Sequence, residues 1–153
     1  MQQIALQDGI SSFFTQANHN ISIPPHRAIT ASVIIESPII QRGTSYPVEL
    51  NIQNTGSGHA FPTGNPWKSY SIITRINHEN GESFPIHTAI LKRELDDKGQ
   101  EISDNRILPG KTEKWDFSLL VSQESSPGKA NLEIEISDTS EKYPIWTLPI
   151  EIR

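Results

Sequence analysis

The residues best suited to chemistry lie in the stretch 54–67, which joins two segments that resemble β-strands. This stretch combines His59, Phe61 and Trp67 with three glycines and two prolines. Glycine allows close backbone approach and proline fixes φ, so the composition predicts a rigid, irregular loop. A neutral imidazole can accept a hydrogen bond or bind a metal, so His59 either holds the loop's own backbone together or serves a partner.

The sequence shows no local pattern typical of a catalytic, phosphate-binding or metal-binding site. Ser57 lies between two glycines but precedes no helical pattern, so it does not form a nucleophile elbow. The glycine-rich stretch lacks the lysine of a phosphate-binding loop. No two histidines have the close spacing of a zinc site, so we predict no metal site. Because the sequence also lacks a nucleophile pattern, we predict no catalytic residue and no enzymatic activity. We predict that the other histidines are solvated: His19, His26, His78 and His87.

Composition narrows the classes of function further. The formal net charge of −5 and the pI near 5.5 argue against a nucleic-acid partner. The chain has no cysteine, which excludes disulfides, Cys-based zinc sites and covalent attachment of a c-type haem. No apolar run is long enough to span a membrane. The first residues lack the pattern of a signal peptide, so we expect either a cytoplasmic chain or one that follows a signal or an upstream domain.

About seven segments alternate apolar and polar residues with the period of a β-strand. Val48, Leu50 and Ile52, for example, alternate with Glu49 and Asn51. Such alternation is typical of antiparallel sheets with one buried face, so we predict an all-β, immunoglobulin-like antiparallel sandwich. The predicted core comprises Val48, Leu50, Ile52, Ile72, Trp115, Phe117, Leu119, Leu132, Ile134 and Leu148.

The predicted domain organisation is a short N-terminal segment, residues 1–27, followed by the sandwich, residues 28–153. Apolar residues at loosely helical spacing predict a short helix between about Gln3 and Gln16. The pair Pro24-Pro25 predicts an extended connection to the first strand.

Two motifs together carry a resemblance to a known family. The sequence Asn-Thr-Gly-Ser-Gly-His-Ala-Phe-Pro-Thr-Gly ends at Gly64, and Asp-Asn-Arg-Ile-Leu-Pro-Gly ends at Gly110. Their order and spacing resemble the β-sandwich domain found C-terminal to multihaem c-type cytochromes, over residues 28–153. That resemblance implies a periplasmic or extracellular accessory domain. Because the haem-attachment motifs are absent, any haem c would belong to a partner or an upstream domain.

The resemblance and the loop chemistry together predict a protein partner, and the resemblance implies a multihaem cytochrome domain. Glycines allow close approach, prolines limit the entropy lost on docking, and aromatic rings supply apolar contact. The predicted partner-binding residues are His59, Phe61, Pro62, Thr63, Gly64 and Trp67, and Gly56 and Gly58 are predicted to shape the loop. A weaker resemblance to the immunoglobulin-like intracellular proteinase inhibitors of bacilli leaves a standalone binding module as the alternative.

Overall fold

The computed structural model describes residues 24–64 and 67–153. The helix predicted near residues 3–16 lies outside this part of the chain. A single helical turn, α1 (Pro25–Ala28), leads into the strands. The ten strands of the described chain are β1 (Ile29–Ile35), β2 (Ile39–Ile40), β3 (Ser45–Asn54), β4 (Tyr70–His78), β5 (Ser83–Leu91), β6 (Arg93–Leu95), β7 (Glu101–Asp104), β8 (Thr112–Leu120), β9 (Gly128–Ser137) and β10 (Lys142–Ile152).

These strands form an all-β sandwich, as the alternating pattern predicts. One sheet has the order β1-β3-β8, and the other has the order β2-β10-β9-β4-β5. All pairings in the two sheets are antiparallel except that of β2 with β10, which is parallel and involves two residues of each strand. A separate hairpin of β6 and β7 follows the edge strand β5.

The core lies between the inner faces of the two sheets. Along β4, every second side chain from Tyr70 to His78 is buried, and the intervening side chains are half-buried. Leu50, Ile72 and Ile134 are fully buried in one part of the core, and Leu119 and Leu132 in another. Burial of each such side chain stabilises the fold by about 1.5–3 kcal/mol.

Three members of the predicted core are less buried than expected. Trp115 and Phe117 are half-buried because β8 is the edge strand of the smaller sheet. Leu148 of β10 is also half-buried and packs against the buried residues of the core. The other seven predicted core residues are buried, so the sequence pattern correctly identified the inward faces of β3, β4, β8 and β9. In β5, however, Ile90 is exposed and Ala89 and Leu91 are buried, because the β4–β5 register shifts at Thr74/Arg75.

Three short strands and one helical turn were not predicted. Pro25 begins α1 where we expected an extended segment, because proline's fixed φ suits the first position of a helix. β6 and β7 contain charged residues and lack buried side chains, so their sequence predicts a turn rather than strands. No helix within the described residues is both long and apolar enough to cross a membrane.

Candidate functional site

The predicted loop begins at a buried asparagine that holds it in place. Asn54, at the end of β3, is 1% exposed. Its side-chain amide donates to the carbonyl oxygens of His59 at 2.8 Å and Ile107 at 2.9 Å, and its Oδ1 accepts from the Ser57 amide at 3.1 Å. Its backbone carbonyl accepts from the Gly110 amide at 2.8 Å. Because the side chain and carbonyl of Asn54 bond to two loops, this residue fixes both in one geometry.

The loop is joined to the turn before β8 by a two-residue backbone bridge. The amide of Phe61 donates to the carbonyl of Ile107, and the amide of Ile107 donates back, both at 2.8 Å. The Phe61 ring is buried and stacks on Tyr70 with 5.4 Å between ring centroids. We call the surface formed by residues 54–64, 67–69 and 105–111 the loop face.

Phe61 and Pro62 therefore take a different role from the predicted one. Both are buried, so their side chains point away from any partner that meets the loop face. Their burial follows from the bridge to Ile107, which draws this part of the loop against the core. Phe61 and Pro62 thus position the loop rather than contact a partner.

The glycines of the loop differ sharply in their surroundings. A Cβ added at Gly56 would lie 2.0 Å from the carbonyl oxygen of Arg27, so α1 packs directly against this position. A Cβ added at Gly58 would meet no atom within 4 Å. Gly64 has a φ of 97°, which side-chain-bearing residues rarely adopt. The close approach of α1 therefore requires glycine at position 56, and the positive φ favours it at position 64, as predicted for this loop. Neither condition applies to Gly58.

Three large side chains stand out on the loop face. His59 is exposed, and the hydrogen bonds described at this residue use its backbone. Trp67 is 70% exposed and Leu108 is 57% exposed. Thr63, which lies between His59 and Trp67 in sequence, is half-buried. Of the predicted partner-binding residues, His59, Gly64 and Trp67 are therefore accessible, and Leu108 is an accessible apolar residue that the sequence analysis missed.

The loop face carries no carboxylate of its own. The sequence has no Asp or Glu at positions 50–78 or 105–112, although the whole chain has a net charge of −5. Arg106 bonds to Asp104 through Nε to Oδ1 at 2.9 Å and Nη2 to Oδ2 at 2.6 Å. This hydrogen bonding lowers the pKa of Asp104 and raises the pKa of Arg106. The loop face is thus less acidic than the rest of the chain.

Two histidines that were predicted to be solvated lie inside the fold instead. His78 is 7% exposed because it has the same alternation as the buried residues of β4. His87 is half-buried and stacks on Phe117, with 4.4 Å between ring centroids. Burial lowers the pKa of His87. Continuing the two-residue period of β4 by one step would have found His78 from the sequence.

The described residues contain no cluster of three or more histidine, cysteine or carboxylate side chains arranged to hold a metal ion. The residues that sequence reasoning missed are Asn54 and Ile107, which fix the loop, and Leu108. The signal for Asn54 was its place at the end of a strand before a glycine-rich loop, where a side-chain amide can replace missing backbone partners.

The chain matches no protein-family model and no curated protein sequence. Several solved structures have a similar fold. A Pseudomonas fluorescens alkylpurine DNA glycosylase, solved bound to DNA containing an abasic site analog, has a TM-score of 0.52 and 8% identity. That similarity covers 90% of this chain but 33% of the glycosylase chain, so this chain spans about a third of that protein.

Two smaller proteins are similar over nearly their whole length. A CARDB domain from Pyrococcus furiosus, solved in complex with di-metal ions, has a TM-score of 0.50 and 12% identity, covering 81% of this chain and 91% of that domain. A Niemann-Pick type C2 protein from the Japanese carpenter ant has a TM-score of 0.50 and 13% identity, covering 82% and 93%. At such low identity these similarities show the sandwich fold alone.

Proposed function

We propose that this chain is a non-catalytic binding module that docks on a protein partner through the loop face. The observation that carries the proposal is the contrast between a rigid base and an accessible top. Asn54 and the Phe61–Ile107 bridge fix the loop, while His59 and Trp67 remain at the surface. A preorganised loop loses little conformational entropy on binding, and an exposed tryptophan is a common anchor of interfaces.

We further propose that the partner is a haem-bearing domain of a multihaem c-type cytochrome system, in the periplasm or outside the cell. The Gly-His-Ala-Phe-Pro-Thr-Gly motif supports this assignment through the family resemblance. The charge of the loop face is compatible with it, because haem propionates and acidic side chains would meet no carboxylate from residues 54–69. His59 could donate a hydrogen bond to such a group.

The experiment is a binding titration between the purified chain and the multihaem c-type cytochromes of its source organism. We expect Trp67→Ala to weaken the complex about tenfold or more, because anchor residues at interfaces typically contribute this much. Ile34→Ala is the matched control: Ile34 is 61% exposed on β1, outside the loop face, and its loss should leave affinity unchanged.

His59→Ala tests the proposal at a second position. Since the imidazole is exposed, the variant should keep its unfolding free energy within about 1 kcal/mol of the original chain and bind the cytochrome more weakly. A destabilised His59→Ala variant with unchanged affinity would mean that the histidine has a structural role. Absence of cytochrome binding, combined with inhibition of a proteinase, would favour the alternative class of binding module.

A further inference from the structure

One open side of the sandwich brings together β5 and β8, the edge strands of the two sheets. The ring of His87 on β5 stacks on Phe117 of β8, so the two edges lie across from each other. A cavity of about 420 Å³ lies between them, and its lining includes His87 and Ala89 of β5 and Glu113 and Trp115 of β8. This volume is within the range of ligand sites in proteins, so the cavity has room for a side chain of another molecule.

The side chains that β8 contributes to the cavity belong to its inward face. Glu113 and Trp115 lie opposite Ile52 and Leu50 in the β3–β8 register, and both of these partners are fully buried. Ala89, across the cavity on β5, is buried as well. Because side chains alternate between the two faces of a sheet, a strand added beside β8 would direct every second side chain into this cavity.

The edge of β5 is already protected by the chain itself. The side-chain amide of Asn105 donates to the carbonyl of Ile90 at 2.6 Å, and its Oδ1 accepts from the amide of Lys92 at 2.7 Å. The backbone amide of Asn105 donates to the carbonyl of Lys92 at 3.1 Å. Further along β5, Pro85 has no amide to donate. β5 therefore offers no continuous edge to an added strand.

The edge of β8, in contrast, contains no proline. The Asn54 amide donates to the Lys111 carbonyl at 3.1 Å, which identifies the odd-numbered residues of this segment as those that bond to β3. By the alternation of an antiparallel ladder, the N–H and C=O groups of Lys114, Asp116 and Ser118 point away from β3, towards the open side. Such a row of backbone groups can pair with another extended chain.

The charges around the cavity favour a basic strand. Two cations near it are compensated within the chain, since Lys114 lies 2.5 Å from Glu49 and Arg106 lies 2.6 Å from Asp104. Glu113 is exposed and adds a further carboxylate to the lining, next to the tryptophan ring. An arginine suits this combination, because its guanidinium can stack on an aromatic ring while it pairs with a carboxylate.

We propose that the edge of β8 binds an extended, basic segment of a partner protein as an added antiparallel strand of the smaller sheet. The backbone of that segment continues the ladder, and one inward-facing arginine stacks on Trp115 and pairs with Glu113. The carboxylate provides the selectivity, because an acidic side chain at the same position would be repelled. This interaction is separate from docking at the loop face and does not rest on it.

The test is an NMR titration of the full chain with the acetylated peptide Thr-Val-Thr-Arg-Thr-Val-Thr. We expect saturable shifts of the backbone amides of Lys114, Asp116 and Ser118. When the arginine points inward, the threonine amides face β8, so N-methylation of the threonines should weaken binding at least about tenfold. N-methylation of the valines is the matched control, because their amides point away from β8 and their loss should leave affinity unchanged.

Two pairs of variants test the same site on the protein side. Glu113→Gln should weaken binding several-fold, whereas Glu82→Gln, which removes the same charge from an exposed turn residue, should not change it. Ser118→Pro removes one edge amide and should also weaken binding several-fold. Ser118→Ala keeps that amide and should bind as the original chain does.

The proposal is overturned if the peptide gives no saturable shifts, or if N-methylation of the threonines and of the valines has the same effect. Equal binding of a peptide with glutamate in place of arginine would overturn the choice of a basic strand. Sedimentation of the chain alone provides a further check. A dimer that dissociates in Ser118→Pro would assign the edge of β8 to a second copy of the chain and would likewise overturn the proposal.

Discussion

The two ends of the sandwich differ in whether a buried polar side chain has all its hydrogen-bond partners. At the loop end, Asn54 is 1% exposed, and its side-chain nitrogen and oxygen both make hydrogen bonds to the surrounding loops. At the other end of β4, His78 is 7% exposed, and its Nε2 has no partner within the described residues. The strand between them is nine residues long, which separates the two ends by about 30 Å.

This difference separates a buried polar group that holds a loop in place from one that leaves a hydrogen bond unmade. A satisfied buried amide stabilises a unique loop shape, and its removal should damage folding. A buried donor without an acceptor costs stability, so its replacement by an apolar side chain should be nearly neutral or stabilising. The buried polar group at the loop end therefore holds the fold through satisfied hydrogen bonds, whereas the one at the other end has a donor without a partner in the described residues.

The largest expected effect is at Asn54. Asn54→Ala removes the donor to His59 and Ile107 and the acceptor for Ser57, leaving their backbone groups without these partners. We expect a loss of about 3 kcal/mol in the free energy of unfolding, measured by urea denaturation. Asn51→Ala is the control: Asn51 is half-buried on the same strand and bonds to Glu49, so its loss should cost less than about 1 kcal/mol. Similar losses of unfolding free energy in Asn54→Ala and Asn51→Ala would contradict a special structural role of Asn54.

A smaller effect is expected from the packing of α1 against the loop. Gly56→Ala places a methyl group on the Arg27 carbonyl and should cost about 2 kcal/mol, because the backbone must shift. Gly58→Ala has open space and should change the unfolding free energy by less than about 1 kcal/mol. Thermal melts of the two variants compare them directly. Equal melting temperatures would show that α1 does not hold the loop.

At the other end, His78→Leu should have the opposite outcome to Asn54→Ala. The variant replaces an unsatisfied N–H with an apolar side chain of similar size, so stability should stay within about 1 kcal/mol of the original chain or increase. Urea denaturation gives the comparison. A loss as large as that of Asn54→Ala would mean that His78 is satisfied in solution and that the two ends are alike.

The smallest effect concerns His87, between the two ends. Burial lowers the pKa of His87, so the unfolded chain takes up a proton at a higher pH than the folded chain. Its contribution to stability is therefore present above pH 6.5 and is lost as the pH falls below that value. His87→Phe keeps a ring to stack on Phe117 but cannot titrate.

Unfolding free energies of the two chains, measured between pH 8 and pH 5, isolate this contribution. The difference between the original chain and His87→Phe should change with pH in that range by less than about 1 kcal/mol, since the ring is only half-buried. A difference that is independent of pH would show that His87 titrates normally in the folded chain.

The strands were predictable because their inward faces are apolar at a period of two. The residues from Val48 to Ile52 and from Tyr70 to Ile76 show this pattern and lie in β3 and β4. The short strand β7 has only exposed side chains, so no periodicity reveals it. The partial exposure of Trp115 depends on β8 being an edge strand, which is a property of the strand order rather than of local sequence.

The residues of the loop face were harder to predict because their burial depends on contacts with residues that are distant in sequence. Glycines and prolines located the loop, but its inward and outward residues depend on Ile107, which is distant in sequence. Phe61 could not be recognised as buried without that contact.

The pairing of β3 with β8 has a consequence for the order in which the molecule folds. Val48 pairs with Phe117, about 70 residues further along the chain, whereas β4 with β5 and β9 with β10 pair through short turns. Closing a long loop costs more chain entropy than closing a short hairpin, so the local hairpins should form before β3 meets β8. The contacts of Asn54 with Ile107 and Gly110 require that late meeting. We therefore expect the loop face to take its final shape only late in folding, after the two sheets of the sandwich have met.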